Sequence, residues 1–327
     1  ESESEESEES EESESEESES EESESEESES EESDSDNIPF NSLEWVGNSC
    51  YLDSVLMILL NNQWFLDQIN NNIKNKTYNK CTTMDKKNNK SFLKEIYKEL
   101  ENIYNFIIKN DPDVNYNNVS NLRNIIGKCQ TPEALSIKKE QQGDPHEFLI
   151  FISSIFNIIG YKQKTDIYGL NNKEKYIFTS TNTLPGIVYN LNTSLYIDQK
   201  NLEISPDFFS ITETDDVQYF NENGSYMGRK IVSTITNVEY IIVFIQRVNI
   251  YIDKGKQKCK MINTSITSPE VLTIDNTPLE LIGIISRSGK IKCKKDGGIN
   301  SSGHYTSYIK YDNDWYNYDD TLNERVE

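Results

Sequence analysis

The sequence lacks any apolar run long enough to cross a membrane: the longest, Val55 to Leu60 and Tyr240 to Ile245, span six residues each, against about twenty for a membrane helix. No secretory leader follows the first residue, Glu1, and because that residue is not Met the chain can begin inside a longer one. Histidine is scarce. The 327 residues hold two, His146 and His304, so any imidazole chemistry must use one of them. Cysteine is limited to Cys50, Cys81, Cys129, Cys259 and Cys293; an odd, scattered set reads as free thiols in a reducing intracellular compartment, cytoplasm or nucleus.

Residues 1–36 lack both bases and apolar side chains, consisting of Glu, Ser and Asp alone. Such a segment has nothing to bury against its ordering entropy and is expected to be a disordered acidic tail. Of the 56 acidic residues 22 lie there, which leaves 34 acids facing 32 basic residues in the remainder. The net charge of −24 therefore belongs to the tail. The rest, residues 37–327, has no basic field of the kind that nucleic acid requires and is long enough for one large lobed domain.

Three stretches carry candidate chemistry. In Gly47-Asn48-Ser49-Cys50-Tyr51-Leu52-Asp53-Ser54, Asn48 or Ser49 can cap a helix whose apolar positions Leu52, Val55, Leu56 and Leu59 recur at helical spacing. Cys50 then sits in the first turn, where unpaired amides and the helix dipole favour thiolate. The alternative is a small buried hydrophobe. In Gln142-Gly143-Asp144-Pro145-His146-Glu147-Phe148-Leu149, Asp144 as cap, Pro145 as first helical residue and Glu147 after it start a helix that runs through Phe148 to Ile159 and ends at Gly160. Those acids can be structural. In the third, a glycine-rich loop with Gly297, Gly298 and Gly303 delivers His304 to the start of a strand, and a second strand after Asn313-Asp314 returns with Asp319 and Asp320. Hairpin geometry of this kind can set an acid beside an imidazole.

Between these stretches, Asn70 to Lys90 reads as a polar loop, and Ser91 caps a helix with Phe92, Ile96, Leu100, Ile103, Tyr104 and Ile107 on one stripe, stopped by Asp111-Pro112. Ser120 and Gly127 bracket a short packing helix. Beyond Gly160 the pattern alternates, with strands expected at 176–180, 194–198, 207–212, 230–235, 240–250, 279–287 and 304–311. The class is α+β: a helical first half and a largely antiparallel second half, with a cleft where they meet.

Taken together, the three stretches resemble the ubiquitin-specific protease family of papain-like thiol peptidases, in the family's order and over about residues 43–320. Tyr240 to Val248 and Leu279 to Gly289 agree with two further strands of that family. The resemblance implies a papain-like thumb and palm, a Cys50, His304, Asp319 triad, and hydrolysis after the C-terminal glycine of ubiquitin without a cofactor. It assigns Asp144 and Glu147 to the basic tail of ubiquitin. Ubiquitin and ubiquitinated proteins are the implied partners, with neither nucleic acid nor membrane. Trp45 stands where relatives commonly carry an Asn that helps hold the oxyanion, which leaves the Cys50 amide and the Asn48 side chain for that task. Residues 161–240 hold no cysteine, so a fingers-like β insertion without metal is expected. Two other classes stay open: a weak or inactive ubiquitin-binding scaffold, and a protease for another ubiquitin-like tag.

Overall fold

The computed structural model describes residues 40–61, 63–109, 118–138, 143–171, 173–184, 188–193, 199–221, 224–293 and 299–320. The acidic tail, Gln142, Asp111-Pro112, the strand expected at 194–198, Gly297-Gly298 and everything after Asp320 lie outside these residues. All of the described elements belong to the unit Ile38–Glu327.

Among the described residues six helices come first: α1 (Cys50–Leu59), α2 (Trp64–Asn75), α3 (Lys86–Lys109), α4 (Ser120–Ile126), α5 (Pro132–Lys138) and α6 (Pro145–Phe156). Every residue of α1 is buried, as expected of a helix apolar on all sides and wrapped by other elements. Phe65, Leu66, Ile69 and Ile73 of α2 join Phe92, Leu93, Ile96, Leu100, Ile103 and Ile107 of α3 in one core. The loop expected from Asn70 shrinks to 76–85. Its asparagines belong to a helix because the apolar stripe beneath them is buried, and burial outweighs weak intrinsic propensity. Asn72 also has tertiary work: its amide donates to the carbonyls of Phe156 (2.9 Å) and Asn157 (3.2 Å) at the end of α6. α3 starts five residues before Ser91, where Asp85 accepts from the Asn88 amide at 2.8 Å.

The cysteines are not all free. Cys81, before α3, and Cys129, in the turn after α4, have Cα atoms 5.9 Å apart and are joined by a disulfide; Cys259 is disulfide-bonded as well. Sequence spacing did not disclose the pair because 48 residues and the whole of α3 separate its members. Cys50 is a free cysteine.

The second half holds β1 (Tyr161–Asn171), β2 (Lys173–Leu184), β3 (Val188–Asn192), β4 (Asn201–Glu203), β5 (Ser210–Asn221), β6 (Gly224–Thr236), β7 (Ile242–Gln246), β8 (Val248–Asp253), β9 (Lys256–Met261), β10 (Ser265–Thr267), β11 (Val271–Ile274), β12 (Thr277–Glu280), β13 (Gly283–Cys293), β14 (Ile299–Tyr311) and β15 (Asp314–Tyr318). A four-stranded antiparallel sheet runs β2-β1-β6-β5, and β13-β14-β15 form a second antiparallel sheet. β3 with β7 and β4 with β10 run parallel, so the half is antiparallel in the main and not throughout. The strand expected at 240–250 breaks at Arg247, whose guanidinium donates to the carbonyls of Thr264 (2.6 Å) and Ile262 (3.3 Å). The one expected at 207–212 begins instead as a 3-10 turn, Pro206–Phe209.

A separate core under these strands includes Tyr161, Leu202, Phe209, Ile235 and Ile274. The two halves meet where α1 packs on β13 and β14. Ile309 and Tyr318 of the sheet enter the helical core, and a Cβ on Gly283 would stand 2.8 Å from the side chain of Ile58. No helix among the described residues is long and apolar enough to cross a membrane.

Candidate active site

The turn before α1 is set by two successive left-handed residues, Gly47 (φ 50°) and Asn48 (φ 59°), residue types that tolerate that conformation. Ser49 occupies the cap position without capping. Its hydroxyl accepts from the Val46 amide at 2.9 Å and donates to Asp53 Oδ2. Arg123, in α4 and 2% exposed, donates from Nη1 to the carbonyls of Val46 (3.0 Å) and Gly47 (2.7 Å). A buried guanidinium therefore clamps the turn that aims Cys50.

His304 lies within β14, opposite Ser288 of β13, and not at the start of a strand as the glycines suggested. β14 and β15 join through a tight turn at Asp312 (φ 49°) and Asn313 (φ 75°), the two positive φ angles that a two-residue hairpin needs. β15 ends at Tyr318, whose buried hydroxyl donates to the Leu43 carbonyl at 3.1 Å. Strand alternation no longer governs the next two residues. Instead of pointing to opposite faces, both turn to the imidazole: Asp319 Oδ1 lies 2.6 Å from His304 Nε2, and Asp320 Oδ1 lies 3.5 Å from it. Asp319 is thus within hydrogen-bond range and Asp320 just beyond.

Cys50 is 4% exposed. Burial pushes its thiol above the ordinary value; the amides of Tyr305 and Tyr51 pull it back, while Asp320 and Asp53 push it further up. This reverses the helix-dipole expectation. Desolvation and two nearby acids outweigh a helix end, so the resting group is a thiol and not a thiolate. Tyr305, whose amide is one of the groups lowering the thiol, follows His304 in sequence on β14, the strand that packs against the helix of Cys50.

The other candidate residues take separate positions. Asn48 is exposed beside the turn. Asp144 accepts from the His146 amide at 2.8 Å as the cap of α6, and its charge, after burial, helps push the Tyr305 phenol up to about 12. Glu147 is exposed in the first turn of α6. His146 stacks on Phe244, ring centroids 4.4 Å apart, so it packs α6 against β7. Trp45 is 49% exposed. Between α1 and α6, a Cβ on Gly143 would stand 2.5 Å from the Tyr51 ring, a close approach that only glycine permits.

Two participants do not stand out in the sequence: Arg123, within a short packing helix, and Asp53, inside the first motif. The available signal was one charge amid apolar helix residues in each case. The histidine and carboxylate atoms of His304, Asp319 and Asp320 lie within 4.8 Å of one another.

The sequence model of the ubiquitin carboxyl-terminal hydrolase family matches residues 42–327. Among solved structures, the SAGA Ubp8/Sgf11/Sus1/Sgf73 DUB module bound to ubiquitin aldehyde aligns with a TM-score of 0.58 at 17% identity, covering 88% of this chain and 65% of that one. A form of that module bound to monoubiquitin aligns with a TM-score of 0.59 at 18% identity and the same coverage. At such identities the likeness is one of fold. The chain spans about 65% of the length of the chains it matches. No curated protein matches it.

Proposed function

The chain belongs to the ubiquitin carboxyl-terminal hydrolase family, and from that membership we propose that it is a cysteine-type deubiquitinase using Cys50, His304 and Asp319. The observation that carries this is the 2.6 Å contact between His304 Nε2 and Asp319 Oδ1, with His304 on β14, the strand that packs against the helix bearing the free cysteine Cys50. With Nε2 held by the carboxylate, Nδ1 is the nitrogen left for the thiol. His304 takes the Cys50 proton as sulfur attacks the carbonyl of the terminal glycine, and the proton then goes to the departing lysine amine. Water, deprotonated by the same imidazole, hydrolyses the thioester and frees the ubiquitin carboxylate and the Cys50 thiol. Because the resting thiol is pushed up, the imidazole acts as a general base during attack, and Asp319 stabilises the imidazolium that forms.

Oxyanion support falls to the Cys50 main-chain amide and, second to it, to the Asn48 side chain. Asp144 and Glu147, at the start of α6, would meet the arginines of the ubiquitin tail in charge-assisted bonds; capping leaves Asp144 free to accept a second donor, since a carboxylate has about four acceptor sites. The antiparallel sheet of β1, β2, β5 and β6 takes the place of the family's fingers insertion, and without cysteine it has no thiolates for a structural zinc. Action inside the cell follows from the substrate alone, since the Cys81–Cys129 bridge removes the argument from free thiols.

The test is a ubiquitin molecule ending in an electrophile. Covalent labelling at Cys50, lost in Cys50→Ala, is expected. Binding without labelling would make the chain a ubiquitin-binding scaffold, and labelling only by probes of another ubiquitin-like protein would move the substrate class.

A further inference from the structure

Beneath the triad lies a second pair of carboxyl groups. Asp53 sits one turn into α1 from Cys50 and is 0% exposed; the Asp320 side chain is likewise 0% exposed. The two carboxyls lie close enough to act on each other's ionisation. Among the described residues, Ser49 Oγ is the side-chain donor to Asp53, reaching Oδ2. Asp53 Oδ1 and both oxygens of Asp320 are buried without a donor. Two ionised carboxylates cannot persist in contact away from water, because neither has a hydrogen to give and their charges repel.

We propose that Asp53 and Asp320 share one proton, and that Asp53, as the protonated partner, is a positioning residue that fixes Asp320 beside His304. The proton completes a chain of bonds: Val46 amide to Ser49 hydroxyl, Ser49 hydroxyl to Asp53, Asp53 hydroxyl to Asp320. That chain links the turn carrying the nucleophile to the segment carrying the base. It also leaves one negative charge on the pair instead of two, which limits the penalty on forming a thiolate nearby.

The charged and titratable groups facing the pair agree with this. From α1 come Cys50 and Tyr51, from α4 the Arg123 guanidinium, from β14 His304, and from the end of β15 Tyr318 and Asp319. The Ser49 hydroxyl and, less, the Arg123 cation pull Asp53 down, but burial and then Asp320 outweigh them, and Asp53 stays well above the usual carboxylate range. Burial, and after it the Asp319 charge, raises Asp320 too, against the opposing pull of Asp53, of His304 and of its own main-chain amide. Asp320 Oδ1 lies 3.5 Å from His304 Nε2, a group that becomes a cation, which favours the charge on Asp320 and the proton on Asp53.

The kinetic part of this inference rests on the hydrolase reading; the proton itself does not, and the experiment separates the two. A folded state holding a proton that the unfolded chain releases near pH 4 is stabilised at low pH and loses that stability as pH rises. Urea unfolding of the wild type, Asp53→Asn, Asp320→Asn and the double variant is followed from about pH 5 to pH 9. An amide on either side supplies the missing hydrogen, so each single variant should flatten the wild-type decline, and the double should flatten it no further. In ubiquitin-conjugate hydrolysis, Asp53→Ala should lower kcat about ten-fold or more with little change in KM, and Asp53→Asn should return it to within about three-fold. A wild-type slope equal to that of Asp53→Asn, or flattening by one single variant alone, overturns the shared proton. An Asp53→Asn enzyme no better than Asp53→Ala overturns the positioning role. Slopes that differ in a wild-type protein inert toward ubiquitin conjugates would sustain the shared proton and sink the hydrolase reading instead.

Discussion

The Tyr318 hydroxyl donates to the main-chain carbonyl of Leu43 at 3.1 Å, across 275 residues of sequence. One end of this bond precedes the turn that aims Cys50, and the other immediately precedes Asp319 and Asp320. Removing it with Tyr318→Phe leaves a buried carbonyl without its donor, a loss of about 1–3 kcal/mol. Thermal unfolding should register the loss, and turnover should fall as both acids gain freedom to move. A variant as active and as stable as the parent would show that the bond positions nothing.

The catalytic set distinguishes residues that composition leaves equal. Cys50→Ala and His304→Ala should abolish hydrolysis while ubiquitin binding, read by calorimetry, stays close to the parent's. Asp319→Ala should lower turnover by orders of magnitude, with a smaller loss from Asp320→Ala, following the 2.6 Å and 3.5 Å separations from the imidazole. Activity surviving in His304→Ala but lost in a folded His146→Ala would contradict the assignment, and the stacking of His146 on Phe244 argues against that result.

A raised Cys50 thiol gives a signature in small-molecule alkylation. Since the thiolate is the reactive form and burial pushes the group up, the rate at neutral pH should be low. It should climb as pH rises through and above the ordinary thiol range near 8.5. Mass spectrometry of the Cys50 peptide after timed exposure to iodoacetamide measures it. A rate already at its plateau below pH 6 would mean a preformed thiolate–imidazolium pair and would remove the general-base step.

Reducing the Cys81–Cys129 bridge frees a loop closed across 48 residues, for which chain-entropy reasoning gives about 4 kcal/mol. The melting temperature should drop on addition of dithiothreitol, and Cys81→Ala/Cys129→Ala should reproduce the drop and then be indifferent to reductant. Because the bridge lies in the helical half, ubiquitin hydrolysis below the new melting point should survive.

The sequence disclosed what local pattern controls and hid what tertiary contact controls. The helix start at Asp144-Pro145 was legible because a cap and a proline act within one turn, and the Asp144 to His146 bond is of that kind. α2 was not, since the meaning of Ile69 and Ile73 comes from the core they enter rather than from their asparagine neighbours. Nor was the disulfide, a relation between two elements. At the site, Cys50, His304 and Asp319 stood out because their residue types are scarce or fall in a recognisable order. Asp53 and Arg123 did not, because a buried charge looks, in sequence, like any other charge, and its burial is decided by elements far along the chain.

The order of the elements along the chain sets a timetable for synthesis. Cys50 is made about 250 residues ahead of His304, an interval on the order of ten to fifty seconds at ribosomal speeds. The six helices are complete by Phe156, so the helix bearing the thiol can be packed long before its base exists. Throughout that interval the nascent chain has the Cys50 thiol without His304, Tyr305 or Asp320. A product ending anywhere before β14 would carry the Cys50 thiol without the hairpin that brings His304 and Asp319 together, and on the proposed reading it would be unable to cleave.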